Sequence, residues 1–146
     1  MLKALVALTL LLGAVTAFST ARGADADPQA RALIQRQLDA FANDDAAGAY
    51  ALASPGIRSI FTDSATFMEM VRTQYAPVYR HRSAQFGAFL LDGDEASQVL
   101  TIVDDNNEVW TAVYKLARQP DGSWLINGCL LIKSKATEAS RELVTT

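Results

Sequence analysis

The stretch Thr66–Gly87 reads TFMEMVRTQYAPVYRHRSAQFG, and within it the apolar pattern changes from helical to extended. Apolar residues at helical spacing predict an amphipathic helix over Ala65–Gln74. Pro77 should end that helix, because the residue before a proline is pushed out of the α region. From Ser83 the period becomes two, which predicts a first strand over Ala84–Leu91. The corner between them is rich in tyrosine and arginine and holds the single histidine, so we expect the rim of any binding site here.

The residues upstream of this stretch predict further helices. Asp27-Pro28 reads as an N-cap followed by a proline at the first helical position. Apolar residues between Leu33 and Ala42 keep one face of a first helix, which should end near Asn43. A short second helix is expected over Ala46–Ala53. The caps predicted for the remaining helices are Asp44 or Asp45, Ser54 before Pro55, and Asp63 or Ser64.

The residues downstream of the stretch predict three more strands. Turn residues separate the predicted strands, so each should pair with its neighbour as an antiparallel meander. In the last strand, both sets of alternating positions are mainly apolar. One set is Trp124, Ile126, Leu130 and Ile132, and the other is Leu125, Asn127, Cys129 and Leu131. Helices first and strands after predict an α+β fold, with N-terminal helices packed on a curved four-stranded antiparallel sheet. The three downstream strands are Ser97–Val103, Val109–Leu116 and Ser123–Lys133.

The first residues predict the compartment. Lys3 precedes an uncharged apolar run over Ala4–Phe18, and small residues follow, which is the layout of a secretory signal peptide. We therefore expect a secreted or periplasmic protein without stable membrane insertion after cleavage, an uncleaved anchor being the alternative. No cysteine follows the run, so a lipid anchor is not expected. Cleavage is expected after Ala17, Ala21 or Gly23, which divides the chain into a signal peptide over 1–23, one domain over 24–134 and a polar tail over 135–146.

Composition limits the classes of partner. The chain has 146 residues and a formal net charge of −3, and half of its residues are apolar, which suits one ordinary globular domain. Loss of residues 1–23 would remove two basic residues and no acidic one, so we expect no nucleic-acid partner. With one histidine and one cysteine there is no zinc signature, and we expect neither a metal nor another cofactor. Cys129 cannot form an internal disulfide and should be a buried, inert thiol.

Two groups of residues are candidates for ligand binding. Arginine presents a planar fork that matches carboxylate or phosphate groups, and tyrosine adds flat apolar area with a polar tip. The second group lies on the predicted strands and could line a concave face of the sheet, with packing in the core as the alternative. A solvated corner is the alternative for the first group. The first group is Tyr75, Tyr79, Arg80, Arg82 and Gln85, and the second is Trp110, Tyr114 and Asn127.

No pattern of residues identifies a reaction. The paired acids Asp44-Asp45 and Asp104-Asp105 fall where helix caps and hairpin turns need carboxylates. There is no nucleophile elbow of the Gly-x-Ser-x-Gly type. Proton transfer would therefore depend on one of three candidates, which are Tyr114, Tyr79 and His81.

Several segments resemble known families. FANDDAAGAYALASP (41–55) and DGSWLINGC (121–129) are similar to segments of the nuclear transport factor 2-like superfamily, whose cone-shaped α+β fold includes ketosteroid isomerase. Extended to 41–61 and 118–131, and taken with ATFMEMVRTQYAPVYRHRSAQFG (65–87), they resemble the domain of unknown function 4864 family of small, mostly signal-bearing bacterial proteins. The resemblance covers about Gln29–Lys133.

This resemblance implies a cavity between the helices and the concave sheet, and it implies no particular reaction. The isomerase-like enzymes place a tyrosine and carboxylates in that cavity. The positions here that would face it are Tyr114, Ala112, Asn127 and Cys129, and none is a carboxylate. We therefore expect binding of a small apolar or anionic ligand, or of a protein partner, rather than catalysis. A small isomerase or dehydratase is the first alternative, and a homodimer formed through the exposed sheet face is the second.

Overall fold

The computed structural model describes residues 27–135, so the predicted signal peptide and all of the predicted tail beyond its first residue lie outside the described part. Residues 27–135 form helices followed by an antiparallel four-stranded sheet, which confirms the predicted α+β class. The helices are α1 (Pro28–Ala42), α2 (Ala46–Ala51), α3 (Pro55–Ile60), α4 (Ser64–Gln74) and α5 (Ala76–Tyr79). The strands are β1 (His81–Asp92), β2 (Glu95–Asp104), β3 (Val109–Arg118) and β4 (Trp124–Lys133).

The predicted helix caps are present. The side chain of Asp27 accepts a hydrogen bond from the backbone N–H of Gln29 at 2.9 Å, and Asp63 accepts one from that of Thr66 at 2.8 Å. Ser54 caps α3 in the same way. Of the two acids before α2, Asp45 is the cap, and its neighbour has another role described below. Each cap satisfies a backbone N–H that a helix leaves unpaired at its start.

The proline corner differs in detail from the prediction. Helix α4 ends at Gln74, as Pro77 predicted, but the same proline also lies in the first turn of the short helix α5. A proline at that position is preorganised for a helix because its φ is fixed. Strand β1 then begins at His81, three residues earlier than expected, because His81 already pairs with Asp104 of β2.

The strands pair in chain order as the expected meander, β1-β2-β3-β4. The regular alternation of side chains along β4 is interrupted at Asn127. Lys115 pairs with Gly128 while Leu116 pairs with Ile126, so Asn127 is an extra residue in β4. Such a bulge moves the following side chains to the other face of the sheet. Cys129 and Leu131 therefore share the buried face with Ile126, and Leu130 and Ile132 point to the opposite face.

The helices cover one face of the sheet. Within residues 27–135, the buried side chains of the strands share that face and pack against apolar residues of α1, α4 and α5. They include Ala96, Leu100, Ile102, Ala112, Leu116 and Ile126. The opposite face, here called the outer face, is not covered by a helix of the described part, and its residues Leu130 and Ile132 are 56% and 52% exposed. Among residues 27–135 no helix is both long enough and apolar enough to cross a membrane.

Candidate functional site

A cavity of about 290 Å³ lies between the helices and the buried face of the sheet. Residues of α1, α3, α4 and α5, of the segments that follow α2, α3 and α4, and of β3 and β4 line it. Within residues 27–135 its lining contains no charged side chain, and most of it is apolar. The lining residues are Gln37, Phe41, Ala53, Ile57, Phe61, Phe67, Met70, Val71, Gln74, Tyr75, Val78, Tyr114, Ile126, Gly128 and Cys129.

The bulge in β4 shapes the floor of this cavity. Gly128 has a φ of 151°, a conformation that side-chain-bearing residues rarely adopt. The extra residue in β4 brings Cys129 directly opposite Tyr114 of β3, with both on the buried face. Without the bulge, the side chains of Leu130 and Ile132 would fall on this face instead.

Tyr114 is the most deeply buried polar group in the lining. Its side chain is 1% exposed, and no group of residues 27–135 hydrogen-bonds its hydroxyl, which opens on the cavity. Burial raises the pKa of Tyr114 well above its ordinary value. The hydroxyl therefore stays protonated at neutral pH and offers a hydrogen-bond donor to the cavity.

Gln37 is the second buried polar group. It lies on the apolar face of α1, four residues from Leu33 and from Phe41, and is 3% exposed. Its Nε2 donates to the carbonyl oxygen of Ala49 at 3.5 Å, a long hydrogen bond that sets which end of the amide faces α2. The other end, Oε1, accepts no hydrogen bond from residues 27–135. Gln37 therefore offers the cavity an acceptor.

The remaining groups of the lining that can ionise are kept neutral. Burial raises the pKa of the Cys129 thiol to about 12, so the thiolate that a nucleophile needs is scarce at neutral pH. Burial also raises the pKa of Tyr75, which is half-buried at the mouth of the cavity. The described lining thus contains hydrogen-bond donors and an acceptor, but no general base.

Helix α3 closes one side of the mouth. The backbone N–H of Ser54 donates to the carbonyl of Ile126 at 2.8 Å, and that of Ile126 donates to the carbonyl of Leu52 at 2.9 Å. The Ser54 hydroxyl donates to Oδ1 of Asn127 at 2.7 Å. These contacts fix the start of α3 on β4 and place Ile57 over the cavity.

Four residues from α4, from the proline corner and from the α1–α2 junction form an Asp44 cluster, consisting of Asp44, Arg72, Tyr79 and Arg80. Arg80 Nη2 lies 2.7 and 2.9 Å from the two carboxylate oxygens of Asp44, and its Nη1 donates to the carbonyl of Phe41 at 2.8 Å. Tyr79 donates to Asp44 and accepts from Arg72 Nε at 3.1 Å. Hydrogen bonds from Tyr79 and Arg80 lower the pKa of Asp44. The cluster holds α5 against the α1–α2 junction, and none of its residues lines the cavity.

Residues 24–139, most of the chain, match the family described as Domain of unknown function (DUF4864). The chain belongs to this family. Membership was expected from segments such as 65–87, and the match confirms it. No match was found among curated proteins or among solved structures.

The structure separates the binding residues predicted for this DUF4864 protein into two sets. Tyr75 and Tyr114 line the cavity. The other six lie outside its lining, and five of these are held by hydrogen bonds to the protein itself. Besides Tyr79 and Arg80 in the Asp44 cluster, Arg82 donates to Asn107 at 2.8 Å, Trp110 donates to Asp104 at 2.9 Å, Asn127 accepts from Ser54, and Gln85 is exposed on the outer face of β1.

The remaining candidates for catalysis lie outside the cavity. His81 Nδ1 lies 2.9 Å from the carbonyl oxygen of Val78. Neither His81 nor Tyr79 belongs to the cavity lining. Among residues 27–135, no group of three or more histidine, cysteine, aspartate or glutamate side chains could hold a metal ion. The sequence reasoning missed Gln37, although its place among apolar residues of α1 was a usable signal, since a polar residue on a buried helix face needs a partner.

Proposed function

We propose that this protein binds a small, largely apolar molecule in the cavity between its helices and its sheet. The observation that carries the proposal is the apolar lining around the Tyr114 hydroxyl, which no group of residues 27–135 hydrogen-bonds. Ligand sites are typically concave, mostly apolar and equipped with a few convergent polar groups. An anionic ligand is less well supported, because the described lining offers no cation and an unpaired buried charge is unfavourable.

The test is a binding titration of the purified chain with the neutral fluorophore N-phenylnaphthylamine. We expect saturable binding with one site per chain. Met70→Trp should weaken it at least tenfold by filling the mouth, whereas Glu69→Trp, an exposed neighbour on α4 outside the lining, should leave it unchanged. Non-saturable binding, or equal effects of the two variants, would contradict the proposal.

The isomerase or dehydratase alternative lacks support from the lining. Proton transfer needs a group whose pKa lies near the working pH. Tyr75, Tyr114 and Cys129 all have pKa values raised by burial, and each therefore remains protonated. Of the other two candidates, Tyr79 lies in the Asp44 cluster and His81 faces Val78.

We also propose export to the periplasm or the exterior, on the signal-like layout of residues 1–23. Cell fractionation of the full chain against a chain lacking residues 2–23 tests this. Export should be lost on deletion, and intact mass should place cleavage after Ala17, Ala21 or Gly23. Retention of both chains in the cytoplasm would contradict it.

A nuclear transport factor 2-like, cone-shaped fold is a further proposal. Its support is the order of helices before an antiparallel meander and the cavity between them. An experimental structure superposed on ketosteroid isomerase tests it. Agreement of strand order and helix placement is expected, and a different helix placement would contradict it.

The outer face of the sheet favours a second candidate, a homodimer subunit. Leu130 and Ile132 are more than half exposed on it, and Val99 and Val113 lie beside them at paired positions of β2 and β3. A face of four strands of about ten residues covers roughly 600 Å² at ordinary strand spacing. Two copies would bury about 1,200 Å² in total, the lower end of the range for stable interfaces. Sedimentation velocity over a dilution series should show a dimer that dissociates, and a monomer at every concentration would contradict this candidate.

A further inference from the structure

We propose that the molecule bound in the cavity carries an uncharged hydroxyl group, as an apolar alcohol or phenol does. The hydroxyl accepts from Tyr114 Oη and donates to Gln37 Oε1. This inference rests on the proposed function and narrows the ligand from any apolar molecule to one chemical class.

The Tyr114 hydroxyl is the first half of the argument. A buried hydroxyl almost always has a hydrogen-bond partner, and leaving one without a partner destabilises the protein. Tyr114 is 1% exposed and lines the cavity, and no side chain or backbone group of residues 27–135 hydrogen-bonds its hydroxyl. In the empty protein, water in the cavity can accept from this hydroxyl, so a ligand that displaces the water must supply an acceptor in its place.

Gln37 supplies the second half. Its Nε2 faces the carbonyl of Ala49, and turning the amide over would set two oxygens against each other, so Oε1 is the end left for the cavity. Oε1 is an acceptor only. The ligand must therefore bring a donor as well as an acceptor.

A hydroxyl group is the simplest group that does both. A ketone or ether accepts from Tyr114 but leaves Gln37 Oε1 unpaired. A carboxylate accepts too, but it brings a negative charge into a lining without a cation, beside an oxygen that repels it. A pure hydrocarbon satisfies neither group. Sites built to hydrogen-bond a ligand group discriminate strongly against analogues that lack it.

The rest of the lining selects the body of the ligand. Phe41, Phe61 and Phe67 contribute aromatic rings to the lining. Met70 and Val71 add further apolar surface to it. Ring systems stack well on such side chains. An aromatic or alicyclic skeleton with one hydroxyl group at the Tyr114 end fits both the apolar surface and the two polar atoms.

The experiment compares three probes with one ring system, namely naphthalene, naphthol and naphthoate, by calorimetric titration at neutral pH. Naphthol should bind about tenfold more tightly than naphthalene, and naphthoate more weakly than either. Tyr114→Phe and Gln37→Met should each reduce naphthol affinity about fivefold or more and leave naphthalene affinity unchanged. Gln35→Met is the matched control, because Gln35 lies exposed on the other face of α1, bonded to Asp39.

The outcomes separate this inference from the proposed function. Equal binding of naphthol and naphthalene, tightest binding of naphthoate, or unchanged naphthol affinity in both variants overturns the hydroxyl inference and leaves cavity binding intact. Failure of all three probes and of the neutral fluorophore to bind overturns the proposed function itself. Because the two variants remove the two partners separately, misfolding of one leaves the other as the test.

Discussion

At the scale of single residues, two buried tyrosine hydroxyls have opposite surroundings. The Tyr114 hydroxyl opens on the cavity and is hydrogen-bonded by no group of the described residues, whereas that of Tyr79 bonds Asp44, Arg72 and Arg80. In the empty protein, Tyr114→Phe should leave the free energy of unfolding unchanged or raise it by up to about 1 kcal/mol, since it removes a hydroxyl that no described residue hydrogen-bonds. Tyr79→Phe should lower it by about 1–2 kcal/mol, since it removes hydrogen bonds to charged groups.

Urea denaturation of the two variants beside the wild type measures these differences. The urea concentration at the midpoint of unfolding should rise or stay the same for Tyr114→Phe and should fall for Tyr79→Phe. The slope of the unfolding free energy against urea concentration should not change. A loss of more than about 2 kcal/mol in Tyr114→Phe would mean that the hydroxyl stabilises the empty protein, against the role assigned to it.

Cys129 allows a second prediction at this scale. Burial raises the pKa of its thiol from 9.0 to about 12, which lowers the thiolate fraction at neutral pH about a thousandfold. Iodoacetamide should therefore label the folded chain far more slowly than the chain in denaturant, as followed by intact mass. Equal rates in the two states at neutral pH would show that the thiol is exposed and unperturbed.

The same shift sets a pH dependence of stability. The folded state holds the thiol proton more tightly than the unfolded state, so the stability is fully present below pH 9 and falls as the pH rises toward 12. Tyr114 contributes in the same direction above its ordinary pKa of 10.0. Cys129→Ala should reduce the alkaline loss of stability, as measured by urea midpoints on both sides of pH 9.

At the scale of elements, the bulge in β4 decides which side chains reach the cavity. Gly128→Ala forces a φ of 151° on a residue with a side chain and should lower the free energy of unfolding by about 1–3 kcal/mol. Gly56→Ala is the matched control, because Gly56 lies in the first turn of α3 and an added Cβ meets only ordinary contacts there. The control should be neutral or slightly stabilising, since alanine favours helices.

Thermal unfolding of the two variants checks this, and binding of the cavity probe adds a second readout. Gly128→Ala should weaken the probe, because it disturbs the position of Cys129 on the cavity floor. A Gly128→Ala protein as stable as Gly56→Ala would contradict the importance of the bulge.

The elements also divide into those that the sequence predicts and those that it does not. Helix caps and hairpin turns are local, so Asp27, Ser54 and Asp63 were recognisable from neighbouring residues alone. The bulge at Asn127 depends on pairing with Lys115, which lies in another strand. Cys129 was expected to face the cavity and lines it, whereas Asn127, expected on the same face, lies outside the lining because it is the bulged residue.

At the scale of the whole molecule, the candidate site was predicted only in part. Tyr75 and Tyr114 were chosen for their residue type, and the fold brings both to the cavity. Arg80 was chosen as a ligand for anions, but the fold brings it to Asp44, 36 residues earlier in the chain. A polar residue selected from sequence has several potential partners, and only the packed chain decides which of them it meets.

The whole molecule has a sheet with two distinct faces, one closed by helices and one carrying exposed apolar side chains. The bulge places Leu130 and Ile132 on the outer face and their neighbours Cys129 and Leu131 on the buried face. Self-association and cavity binding should therefore be separable. Replacing Leu130 and Ile132 by lysine should weaken the proposed dimer at least tenfold, because it sets like charges into an apolar contact, and should leave probe affinity unchanged.

Ile60→Lys is the control for that prediction, because Ile60 is 70% exposed on α3, away from the sheet. Sedimentation velocity and the fluorophore titration, run on the same samples, measure both properties. If Ile60→Lys dissociates the dimer and the double variant does not, the interface lies on the helical side. If the double variant loses the probe as well as the dimer, the two faces are coupled, and binding in the cavity depends on the second copy.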